Sequence, residues 1–126
     1  MAEGGNKTIL IVEDEHQQRT LAALVLEKAG FRVLEAAHPN EAAHIWRRDC
    51  QIIDVVVADI WLPGISGPEL ANFFRREKPD LKSVFITGLT TDLRTEFGKL
   101  VRSSEIVRKP FTADELISAV NRVLTP

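Results

Sequence analysis

Cys50 is the only cysteine in this chain of 126 residues. No internal disulfide framework can therefore hold the fold together, and a reducing compartment is expected. Apolar runs fall far short of the roughly 20 residues that a membrane-spanning helix needs. The opening MAEGGNK has no apolar segment able to act as a secretory signal. A cytoplasmic location, away from any membrane, is the expectation. Positive charge is not in excess either. Lys and Arg number 16 against 18 Asp and Glu, a formal charge of −2, which counts against direct binding of nucleic acid. The pairs Arg47-Arg48 and Arg75-Arg76 accordingly read as solvated helix faces rather than a footprint for a phosphate backbone. Internal repeats, low-complexity segments and a linker long enough to set apart a second domain are all missing.

What is present is ordinary soluble-protein material, 44% apolar and 27% charged, in a chain long enough to bury a core. Residues 1–7 are polar and read as a flexible N-terminus, and residues 8–126 as one domain. The organising stretch is DVVVADIWLPGISGPEL, Asp54 to Leu70. A short apolar run bounded by turn signals predicts a strand buried on both faces. Pro63 and Gly64 then force a loop, which leaves Asp59 at the strand's C-terminal end.

Similar reasoning gives strands at Thr8–Val12, Phe31–Ala36, Ser83–Thr87 and Glu105–Lys109. A helix follows the first strand, with Leu21, Leu24, Val25 and Ala29 expected on its apolar face and Gly30 as its cap. A second helix spans Asn40–Asp49, with Ala42, Ile45 and Trp46 inward. Ser66 and Glu69 have capping-box spacing and start a third helix, which Lys78-Pro79-Asp80 ends. A further helix is expected over Thr91–Val101, interrupted by Gly98, and a last one after the capping box Thr112–Glu115. Alternating strands and helices predict an α/β fold with a parallel sheet covered on both faces.

In the flavodoxin-like order 2-1-3-4-5 the strand ends bring Glu13, Asp14, Asp59, Thr87 and Lys109 to one rim. Carboxylates so close repel unless a cation neutralises them. Their hard oxygens suit Mg²⁺, or Mn²⁺ in its place, rather than zinc, and His16, His38 and His44 have no matching ligand spacing. Acids with a lysine and a threonine opposite make a phosphoryl-binding arrangement. A carboxylate there can also be the nucleophile, forming an acyl phosphate. Asp59 is the candidate, because it stands alone at the strand end beside a flexible loop, and Ser66 already supplies the better cap for the following helix.

IVEDE, DVVVADIWLPGISGPEL, VFITG and VRKPF, in this order and at these spacings, resemble the CheY-like receiver domain of bacterial two-component response regulators. The likeness runs from about Thr8 to Leu124. It implies a (βα)5 three-layer sandwich in which Asp59 takes a phosphoryl group from a sensor histidine kinase or a histidine phosphotransfer protein. Catalysis would then extend only to the domain's own phosphorylation and dephosphorylation. By the same resemblance Asp14 binds Mg²⁺ directly, Glu13 acts through water, and Asp59 and the backbone carbonyl of Trp61 complete the metal site. Thr87 is the switch hydroxyl, Lys109 pairs with the phosphoryl group, and Lys109-Pro110 is a cis peptide. The expected state is a monomer or weak homodimer, either stand-alone or cut from a hybrid kinase or larger regulator.

Several positions depart from the family pattern. Ile106 stands where many receivers carry an aromatic switch residue, and the chain has no Tyr. Trp61 is bulky beside the phosphoacceptor, and Leu89, just past Gly88, is apolar. Both are expected to restrict attacking water and lengthen the phosphoryl lifetime. The alternative is a receiver-like interaction module that is not phosphorylated. A haloacid-dehalogenase-type phosphatase needs an acid where Trp61 stands, and a flavodoxin needs a hydroxyl-rich loop where the acids stand.

Overall fold

The computed structural model describes residues 6–88, 97–101 and 103–125. Five strands, β1 (Thr8–Val12), β2 (Arg32–Ala36), β3 (Val55–Asp59), β4 (Lys82–Thr87) and β5 (Glu105–Arg108), form one parallel sheet in the order β2-β1-β3-β4-β5. This is the expected flavodoxin-like α/β topology. Among the described residues it carries four α-helices: α1 (His16–Lys28), α2 (Pro39–Asp49), α3 (Gly67–Arg75) and α4 (Ala113–Leu124). Of the helix expected over Thr91–Val101, residues 91–96 lie outside the described residues, and Gly98–Val101 forms a short 3-10 helix.

The strands alternate their side chains between two cores because successive residues of a strand point to opposite faces. Leu10, Val12, Val56, Ala58 and Phe85 pack toward α2, α3 and the 3-10 helix. Ile9, Ile11, Val55, Val57, Val84 and Val107 pack toward α1 and α4. With both faces covered, β1 and most of β3 are apolar without a break, as a central parallel strand should be. The sheet therefore holds the C-terminal ends of β1 and β3 side by side, in the register Val12 opposite Ala58.

Both capping boxes form, Ser66 with Glu69 and Thr112 with Glu115, and Gly30 takes a positive φ of 98° after α1. The inward face of α1 matches the expected one at Val25 and Ala29 but not at Leu21 and Leu24. Ala22, Ala23 and Leu26 are buried there, with Ala29 after the last turn, whereas Leu21 and Leu24 are about half exposed. The buried face runs Ala22, Ala23, Leu26 and Ala29 with Val25 at its edge, so the phase of the helix, not the hydrophobicity of single residues, decides that Leu21 and Leu24 face outward. Helix α3 also stops earlier, at Arg75. Lys78 beyond it donates through Nζ to the carbonyls of Cys50, Gln51 and Ile53 at 3.1, 3.1 and 2.5 Å, satisfying the chain as it leaves α2.

Candidate functional site

The end of β1 delivers a buried acid. Glu13 is only 6% exposed, and its N–H donates to the carbonyl of Ala36 at the end of β2. Its Oε2 accepts the Glu15 N–H at 3.2 Å. Arg19, one turn into α1, donates through Nη1 to the Glu13 carbonyl at 3.0 Å. The same guanidinium reaches Glu35 at 3.5 Å and the Nδ1 of His16 at 3.1 Å. Arg19 thus pins the acidic turn to its own helix and to β2. The sequence reading passed over this residue, and an arginine one turn after three successive acids is the signal that could have found it. Asp14 is exposed beside Glu13.

The end of β3 delivers Asp59, and its two oxygens are held differently. Oδ2 lies 2.8 Å from Nζ of Lys109, while Oδ1 accepts the backbone N–H of Trp61 at 2.9 Å. The same Nζ is 3.2 Å from Oε1 of Glu13, so Lys109 bridges two of the acids. Lys109 is placed by β4, because its N–H donates to the Thr87 carbonyl at 2.8 Å, and the peptide it shares with Pro110 is cis. Thr87 closes β4 fully buried, paired in register with Arg108. Gly88 is exposed next to it and close to the Lys109 side chain. Gln18 and Ala22 of α1 and Phe111 complete the cleft around Glu13, Asp59 and Lys109.

Gly67 is a second residue that the strand-end reasoning did not single out. It opens α3 with its N–H on the Ile60 carbonyl at 2.9 Å. A Cβ at Gly67 would overlap the backbone carbonyl of Asp59 itself, so only glycine lets this helix start so close to the strand end. Trp61, 44% exposed, pairs with Ser66 across the loop. Its ring lies 5.6 Å from that of Phe97 at 55°. Ile106 is half-buried and packs against the core on the α2–α3 side. Leu89 lies outside the described residues.

Burial acts first on both charged partners of the site. Burial pushes the Glu13 carboxyl above its ordinary pKa, and the nearby charge of Asp59 pushes the same way, against the backbone bond from Glu15 and the pull of Lys109. For Lys109, burial disfavours the ammonium, yet its bond to Asp59 and the charges of Asp59 and Glu13 outweigh that and raise its pKa. A second cation would relieve the strain on Glu13. The available donors, carboxylates and the Trp61 carbonyl, are all oxygen and so fit Mg²⁺. Among the described residues no three acids are yet gathered as a ready metal cluster. Lys109 instead occupies the space between Glu13 and Asp59.

The sequence profile of the response regulator receiver domain matches residues 9–121. The chain belongs to the response regulator receiver family. Over 120 residues this receiver is 32% identical to the sensor kinase CckA of Brucella abortus, covering 95% of the chain and 13% of that protein. Over 117 residues it is 28% identical to the response regulator SaeR of Staphylococcus aureus, covering 93% and 50% respectively. The chain spans half the length or less of these curated relatives. Its fold superposes on a response regulator receiver protein from Sinorhizobium medicae with a TM-score of 0.84, at 30% identity and 95% coverage of both chains. Such a receiver is a signalling domain of two-component systems, not an enzyme acting on an external metabolite. Among the described residues no helix is long and apolar enough to cross a membrane.

Proposed function

We propose that this receiver takes a phosphoryl group onto Asp59 from a phosphohistidine of a sensor histidine kinase or a histidine phosphotransfer protein. The observation that carries the reading is the contact of Lys109 Nζ with Asp59 Oδ2 at 2.8 Å beside buried Glu13. That arrangement holds a carboxylate oxygen at a strand end, next to a cation able to pair with incoming phosphoryl oxygens. An Asp59 carboxylate oxygen attacks phosphorus, the phosphorus–nitrogen bond to the histidine breaks, and the leaving imidazole takes up a proton. The product is an acyl phosphate. Lys109 then moves its charge from the free carboxylate to the phosphoryl oxygens, and the Trp61 N–H continues to orient the other carboxylate oxygen.

Asp14, Glu13 through water, Asp59 and the Trp61 carbonyl would hold Mg²⁺, whose chemistry is neutralisation of phosphoryl charge. In this reading the Thr87 hydroxyl follows the phosphoryl group and passes the change to β4 and β5, where Ile106 stands in place of an aromatic. Intact-mass measurement after incubation with acetyl phosphate and Mg²⁺ tests the reading. One added phosphoryl group on the wild type supports it. No adduct would favour an interaction module that is not phosphorylated.

A further inference from the structure

On the face away from α1 and α4, Phe73 of α3 is 50% exposed although Leu70, Ala71 and Phe74 of the same helix are buried. Phe74 stacks on Trp46 of α2 with centroids 4.5 Å apart and planes at 10°, and Phe73 stands edge-on to Phe74 at 6.4 Å. These rings line a groove between α2 and α3 with a volume of about 360 Å³, together with Ala43, Arg47 and Glu77. That volume lies at the low end of the roughly 300–1,000 Å³ of ligand pockets, and it suits one or two side chains rather than a whole cofactor.

The charges around the groove are unbalanced. Glu77, the acid of the lining, accepts the Trp46 indole N–H at 3.1 Å. Other bases nearby are committed. Arg48 pairs with Asp49 at 2.8 Å, Arg75 donates to the Leu81 carbonyl at 3.2 Å and to Ser83, and Lys78 holds carbonyls after α2. Two arginines remain. The Arg76 guanidinium lies 5.6 Å over the Phe73 ring, and Arg47 has no ion pair or hydrogen bond among the described residues. A helix dipole favours an arginine in the last turn of α2, but it gives no reason for an exposed phenylalanine facing it.

We propose that this groove docks an acidic protein segment carrying one apolar side chain, which seats against the exposed Phe73 ring while its carboxylates meet Arg47 and Arg76. Two cations beside the exposed ring repel a basic segment, and an acidic segment without an apolar anchor leaves the apolar face of Phe73 unused. The site is independent of phosphorylation at Asp59, which lies at the strand ends.

The test uses fluorescein-labelled peptides in which Glu and Asp flank a single Leu or Phe. One control has Ser at the anchor, and another has Lys and Arg in place of the acids. Anisotropy gives affinity, and the Trp46 indole N–H signal of ¹⁵N-labelled protein reports the location. The acidic anchored peptide is expected to bind and to move the Trp46 signal. Phe73→Ala, and separately Arg47→Glu with Arg76→Glu, should each weaken it about tenfold or more. The same variants should remain folded with the wild-type yield of acyl phosphate, the double arginine variant losing only the small stability that reversed charge at two helix C-termini costs. Equal binding of either control overturns the proposal. So does an unmoved Trp46 signal, or self-association that is abolished by Phe73→Ala.

Discussion

Lys109 Nζ lies 2.8 Å from Oδ2 of Asp59 and 3.2 Å from Oε1 of Glu13, so one ammonium bridges the ends of β1 and β3 from the start of the loop after β5. The bridge raises the Lys109 pKa through its bond to Asp59 and the charges of both acids, in spite of the burial that opposes it. A group whose pKa is higher in the folded chain stabilises fully below its unfolded value, about 10.4 for lysine, and loses that contribution as pH rises through the folded value. Lys109→Met is therefore expected to lower stability near neutrality by about 1–3 kcal/mol, because it leaves buried Glu13 and part-buried Asp59 without their partner. The difference from wild type should shrink above the ordinary lysine pKa. Urea unfolding from pH 7 to pH 11 checks both the deficit and its closure.

Gly67→Ala places a methyl group on the Asp59 carbonyl. The α3 start must retreat or the strand end must shift, and such overpacking costs about 1–3 kcal/mol. Phosphorylation should slow as well, since the nucleophile and the Trp61 N–H on Oδ1 move with the strand end. Gly64→Ala is the comparison. Its φ of +83° strains any other residue, yet nothing lies within 4 Å of the added carbon. It should lose about 1 kcal/mol through backbone strain alone and leave phosphorylation near wild type. Denaturation curves and initial phosphorylation rates separate the two effects.

Trp61 stands two residues past Asp59, half-exposed, with its ring against Phe97, and the proposed role of that ring is to screen the acyl phosphate from water. Trp61→Ala removes the ring and keeps the backbone N–H that orients Oδ1. The acyl phosphate is expected to hydrolyse several-fold faster, corresponding to about 1 kcal/mol of barrier, and Phe97→Ala should shift the rate in the same direction by less. Loss of acid-precipitated phosphoryl label with time measures both. An unchanged rate in Trp61→Ala would remove water exclusion as the role of this ring.

Legibility of the chain varied with the range of the interaction involved. The β1 and β3 runs, both capping boxes and the turn at Gly30 are local signals, and each appears where its residues indicated. Once the strand order was inferred, the meeting of Glu13, Asp59 and Lys109 followed, because a parallel sheet aligns its carboxyl ends. Helix α1 was harder. Leu21 and Leu24 carry a strong hydrophobic signal, but the buried face is the one through Ala22, Ala23, Leu26 and Ala29, a phase that packing against the sheet sets and that alanines signal weakly. Gly67 resembles any helix-start glycine until the Asp59 carbonyl is found against it. Arg19 acts across β1, β2 and α1 together, a coupling that no single stretch of sequence contains.

Identity of the phosphorylated residue tests the central claim most directly. After incubation with acetyl phosphate and Mg²⁺, borohydride converts an aspartyl phosphate to homoserine, which peptide mass spectrometry can locate. The expected result is homoserine at position 59 alone in the wild type and none in Asp59→Asn. Homoserine at Asp14, or an adduct that persists in Asp59→Asn, would contradict it.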